Sequence, residues 1–125
     1  MPQLPYSIEL HDSDVSAIES PEGKGIVRFS HAYIHNEGKG WSQAAELRVG
    51  SAVIESNQAT YPARVWDGNL NTKGGAYHNL LTLPIDADGD VELVIEFSSG
   101  AVARIKGSGV SLVFTGERAF IEDVT

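Results

Sequence analysis

A chain of 125 residues with no cysteine fits one domain, spanning 1–125, and excludes disulfides, thiolate zinc sites and thiol catalysis. Its formal net charge of −8, with no cluster of lysine or arginine to offset it, repels phosphate backbones and so excludes nucleic acid, while it would steer a basic protein partner inward. No stretch approaches the ~20 apolar residues of a membrane span, and MPQLPYSIEL lacks the basic and apolar regions of a secretory signal, so a soluble cytoplasmic protein is expected.

The elements read in chain order are short runs of β-formers punctuated by glycine. HDSD, residues 11–14, is an Asp/Ser-rich turn leading into DVSAIES. The runs DVSAIES and GIVRFSHAYI flank PEGK and form a hairpin. In AELRVGSAVIES the alternation of Ala45, Leu47 and Val49 shifts phase across Gly50-Ser51, as a bulged strand would, although Ser42 could instead cap a short helix ending at Gly50. ARVWDGNL and AYHNLLTLPI add two strands on either side of NTKGG. Val91, Leu93, Ile95 and Phe97 then alternate with mostly polar neighbours, the period of a strand with one buried face. Asp88-Gly89 and Ser99-Gly100 read as tight turns around it, and VSLVF resumes as a strand after Gly107 and Gly109. About seven to nine short antiparallel strands with few helical windows predict an all-β domain, a β-sandwich or a jelly-roll-like barrel.

Histidines and carboxylates raise the question of chemistry. His31 and His35 would chelate one ion from a helix, but on a strand they lie ~13 Å apart, too far to share it. Asp86, Asp88 and Asp90 alternate as in a calcium loop, yet Val91 and Phe97 occupy the sixth and twelfth positions, where such a loop needs glycine and glutamate. His11, Asp12, Ser13 and Asp14 include a nucleophile and a base, but adjacent residues do not converge on one substrate atom, and there is no GxSxG elbow. No catalytic constellation and no cofactor are therefore expected. TYPARVWDGNLNTKGGAYHN ranks first among binding candidates, with Trp66, Asp67, Tyr77 and His78 as its residues. Exposed rings there, beside Asp67, Asn69 and Asn71, would suit a protein hot spot or the stacking of a sugar on Trp66 and Tyr77. Trp41 raises the same question of core against surface.

Two resemblances add expectations. The spacing Gly25-x5-His31-x-Tyr33-x3-Glu37 resembles the first signature of the cupin family, with Tyr33 where that signature has a second histidine and Ala44 where it has a closing glycine. Gly75-x2-His78 is similar to part of the second signature. The resemblance implies a jelly roll and a metal-dependent enzyme with His31, Glu37 and His78 as alternative metal ligands. HDSDVSAIE with AYIHN, and FSSGAVARIKGSGVSLVFTGERAFIE, resemble the opening and closing stretches of small bacterial β-proteins. Some of those are immunity proteins that bind and block a toxin, which implies a non-enzymatic protein-interaction role. Exposed β edges could also pair two copies into a homodimer.

Overall fold

Alternation of inward apolar and outward polar side chains decides the architecture. In the computed structural model, which describes residues 5–124, ten strands form: β1 (Ser7–Glu19), β2 (Gly25–Asn36), β3 (Lys39–Val49), β4 (Val53–Asn57), β5 (Ala63–Thr72), β6 (Gly75–His78), β7 (Leu80–Thr82), β8 (Asp86–Phe97), β9 (Val102–Phe114) and β10 (Ala119–Asp123). Six of them, in the order β3-β2-β1-β5-β8-β9, close into an antiparallel barrel because the second half of β9 pairs with β3. Closure removes the unpaired edges that an open sheet would present. β4 extends the wall on β9, β6 pairs with β5, β7 with β1, and β10 with β3. The expected all-β class holds; the count of strands is higher than seven to nine, and several run to 12 or 13 residues rather than being short.

The interior is filled. Inward residues from every barrel strand, among them Ile8, Val27, Leu47, Leu70, Ile95 and Ile105, are buried at 0–1% exposure. Val91, Leu93, Ile95 and Phe97 all face this core, as their period predicts, and so do Ala45, Leu47 and Val49. Residues 41–49 are strand, not helix. The chain turns a corner at Gly50-Ser51, after which β4 continues along the same edge of β9, so the phase shift marks a break between two strands rather than a bulge in one. The corner needs glycine. A Cβ on Gly107 would lie 2.4 Å from the Gly50 carbonyl oxygen, and one on Gly50 would lie 2.6 Å from that of Ser108.

Several glycines read as turns are bulges instead. Ala87 pairs with Val110 and Asp90 with Ser108, so Asp88 and Gly89 on β8 stand against Gly109 alone on β9. Both glycines have positive φ, the conformation shared by tight turns and bulges, and β8 and β9 therefore run through those points. Ser99-Gly100 does turn the β8–β9 hairpin, with the Gly100 amide donating to the Phe97 carbonyl at 2.8 Å. The PEGK turn also holds: a 3-10 turn at Pro21–Gly23 joins β1 to β2.

The wall has one discontinuity. β1 and β5 pair directly only at Asp14 with Arg64 and Val15 with Ala63. Beyond that point AYHNLLTLPI, expected as one strand, splits at Asn79, where φ is +67°. β6 thereby stays on β5 while β7 passes to β1. Asn79 ties the two sides together: its amide donates to the Gly68 carbonyl, its carbonyl accepts from the Leu10 amide, both at 2.7 Å, and its Oδ1 accepts from the His11 amide at 2.6 Å.

Candidate functional site

HDSD is the feature that builds the outer surface beside this discontinuity. Glu9 pairs with Tyr33 and Asp14 with His31, so residues 10–13 of β1 stand opposite Ala32 alone. The extra length is absorbed by a positive φ at Asp12 and by Ser13, whose buried hydroxyl donates to the Glu9 carbonyl at 2.7 Å and accepts from the Tyr33 amide at 3.0 Å. That hydroxyl is occupied by the backbone, so HDSD is a wide bulge and assembles no nucleophile–base pair. Leu10 turns into the core and rests on Gly68, whose lack of a side chain admits it.

The bulge swings His11 across to β5. Its Nδ1–H donates to the Trp66 carbonyl at 2.7 Å, and its ring meets the Trp66 ring edge-on, with centroids 5.4 Å apart. A register shift between Val65 and Asp67 turns both Trp66 and Asp67 outward. Trp66 is 59% exposed, more than any phenylalanine or tyrosine among the described residues. His78 on β6 reaches back to Asp67, donating from Nε2 to Oδ1 at 2.8 Å. Asp12 lies 3.4 Å from His11, and exposed Glu96 pairs with Asp67 in the register of β8. One outer face thus carries an open indole, with Asp12 beside its neighbour His11, Asp67 next in the chain and Glu96 across from Asp67.

Of the four residues expected to bind, the structure brings Trp66, Asp67 and His78 together. Tyr77 is not with them. It pairs with Leu70, which is fully buried, and so lies on the inward face packed against the core. A strand alternates faces, so Tyr77 and His78 point in opposite directions, and the coplanar Trp66–Tyr77 platform expected for a sugar does not exist. Trp41 is half-buried, packed against the core and crossed by the Arg118 guanidinium at 5.1 Å.

The alternative metal ligands are also apart. Glu37 is at the tip of the β2–β3 hairpin, where Glu37 and Gly38 both have positive φ as a two-residue turn demands. His31 is exposed on the outer face of β2, 3.7 Å from Asp14, and His78 belongs to Asp67. Among the described residues no group of three or more histidines, aspartates or glutamates is placed to hold a metal ion. Asp86, Asp88 and Asp90 project from β8 into solvent.

Beside the bulge lies a shallow depression of about 270 Å³ whose lining includes Asp12, Asp14, His31, Tyr33 and Arg64. Arg64 grips Asp14 through two hydrogen bonds of 3.0 and 3.3 Å, and that bonding raises its pKa. The Tyr33 hydroxyl donates to Glu122 of β10 at 2.8 Å. Burial, then the hydrogen bond and charge of Glu122, push the phenol well above the usual tyrosine range. A proton held more tightly in the folded state than in the unfolded one stabilises fully below the unfolded value near 10, and that contribution disappears as pH rises toward the folded one. Ultraviolet titration of the folded protein is expected to show a late phenolate step that Tyr33→Phe removes. If Tyr33→Phe instead removes a step within the ordinary tyrosine range, the assignment is contradicted. A roomier concavity of about 820 Å³, lined by Asn71, Thr72, Lys73, Asp90, Glu92 and Lys106, holds no exposed ring, and its Glu92 is already paired with Arg104 and Lys106.

Among the described residues no helix is long and apolar enough to cross a membrane. No family model, curated protein or solved structure matches the chain.

Proposed function

We propose that this protein is a non-enzymatic interaction domain that seats a cationic surface of another protein on its Trp66 face. The observation that carries the reading is the exposed Trp66 ring, with Asp12, Asp67 and Glu96 on the neighbouring positions, on a chain of net charge −8. A guanidinium or ammonium group gains both from the face of an indole and from carboxylates at its edge. Tryptophan is also the side chain most often found to dominate binding energy at protein interfaces. The filled barrel supports the same reading, because recognition then has to occur on the outside. It is also the role implied by the resemblance to immunity-type β-proteins, where an acidic binder suits a basic toxin.

The test is affinity purification from the native host, followed by titration of the recovered partner against wild type and Trp66→Ala. The ring is exposed, so the variant is expected to keep its thermal midpoint. The loss of one central aromatic, worth about 2 kcal/mol, should weaken binding about 30-fold. The association rate should also fall with added salt, as steering by opposite charges requires. Unchanged affinity in Trp66→Ala, or an acidic partner, would sink the reading.

A further inference from the structure

Closure hides the edges of the barrel strands, but an appended strand brings an edge back. Among the described residues β10 pairs only with β3, through Ala119, Phe120, Glu122 and Asp123, with a bulge at Ile121. The Val124 amide donates to the Gly38 carbonyl at 2.9 Å. Backbone groups alternate in direction along a strand, so the amide of Asp123 points the other way, out from the free edge. Exposed edges are commonly guarded by lysine or proline; AFIED contains neither.

The same strand concentrates exposed apolar surface. Six large apolar side chains are exposed among the described residues, and three of them, Phe120, Ile121 and Val124, fall within these last residues. The Phe120 ring meets Trp41 edge-on at 5.4 Å, and Ile121 borders the depression beside Tyr33. An unpaired edge with apolar side chains on both of its faces has the requirements of strand addition: backbone hydrogen bonds along the edge and side-chain contacts above and below it.

We infer that β10 accepts an extended segment of a partner protein as an added strand, and that this segment is basic. Charge selects the occupant. Glu117, Glu122 and Asp123 outnumber the single cation of the segment, Arg118, which lies over Trp41, and a second copy of the chain would bring the same carboxylates face to face while joining two bodies of charge −8. An extended segment with lysine or arginine at alternate positions meets that edge with opposite charge. The inference deepens the reading of an interaction domain for cationic partners, but it rests on a different surface from Trp66.

The probe is a short capped peptide of alternating lysine and valine, followed by amide chemical shifts of the folded protein. Shifts confined to residues 119–124, with slowed hydrogen exchange at Asp123, are expected. N-methylation of alternate peptide nitrogens, which keeps the charge and removes the backbone donors, should weaken binding at least about tenfold, as should Asp123→Pro; Phe120→Ser provides a second variant that leaves the backbone edge intact and removes a side-chain contact. An alternating glutamate–valine peptide should not bind. Equal binding of the N-methylated peptide, shifts centred on Trp66, or a concentration-dependent dimer that Asp123→Pro abolishes would each overturn the inference. Trp66→Ala should leave the peptide's affinity unchanged, so failure at β10 and failure at Trp66 are read separately.

Discussion

Phe97→Ala is expected to lower the stability of the barrel by about 4 kcal/mol, within the range for removing a buried aromatic side chain. Phe97 is 1% exposed and is the last inward residue of β8. It pairs with Val65, itself buried, and its ring meets the Tyr61 ring at a steep angle, with centroids 5.7 Å apart. Alanine would lose the transfer energy of the ring and leave a void, since strands fixed by hydrogen bonds on both sides cannot collapse to fill it. Urea unfolding, with a slope unchanged from wild type, measures the loss. A loss below about 1 kcal/mol would show that this end of the interior is loosely packed.

Gly107→Ala tests the corner by the opposite means, adding an atom where there is no room. The new methyl would lie 2.4 Å from the Gly50 carbonyl oxygen and 2.5 Å from a Val49 methyl. The oxygen belongs to backbone that is itself held, because the Gly50 carbonyl accepts from the Ser108 amide at 2.7 Å. Relief therefore requires β3 and β9 to separate, and overpacking of this kind costs about 3 kcal/mol. Gly75→Ala is the control. Nothing lies within 4 Å of its Cβ position, so its effect should stay within about 0.5 kcal/mol. Equal effects at the two positions would show that no collision occurs at Gly107, since narrowing the unfolded chain by itself favours alanine at both.

Legibility in the sequence followed the range of the interaction involved. The inward set Val91, Leu93, Ile95 and Phe97 is a local pattern, and alternation alone identifies it. Glycine with positive φ is ambiguous, since turns and bulges use the same conformation; Gly89 and Gly109 are separated from Gly100 only by what their strands pair with. Closure depends on β3 meeting β9 across more than 60 residues of chain, and no local pattern announces that pairing. The candidate site was half legible. Trp66, Asp67 and His78 stand in one aromatic-rich segment, but the face of Tyr77 is set by the pairing of β6 with β5 across Gly74-Gly75, which no local pattern shows. His11 has no local signal as a neighbour of Trp66, 55 residues away, because the bulge that delivers it has the composition of a plain Asp/Ser turn. β10 carried no signal of its own: AFIED is too short to show a period, and its exposure follows from the barrel it is attached to.

The discontinuity between β1 and β5 would give the proposed docking face a second property. Barrel walls yield where the fewest bonds cross, and here two residue pairs, one asparagine and the His11 hydrogen bond to the Trp66 carbonyl span the gap. The residues around Trp66 straddle it, His11 and Asp12 on one bank, Trp66, Asp67 and His78 on the other. A partner gripping both banks opposes their separation, so the free energy of its binding adds to the cost of opening the barrel, by about 2.7 kcal/mol at a hundredfold excess over the dissociation constant. On the proposed reading, the surface that selects the partner is then also a clasp, and the bound protein would outlast the free one.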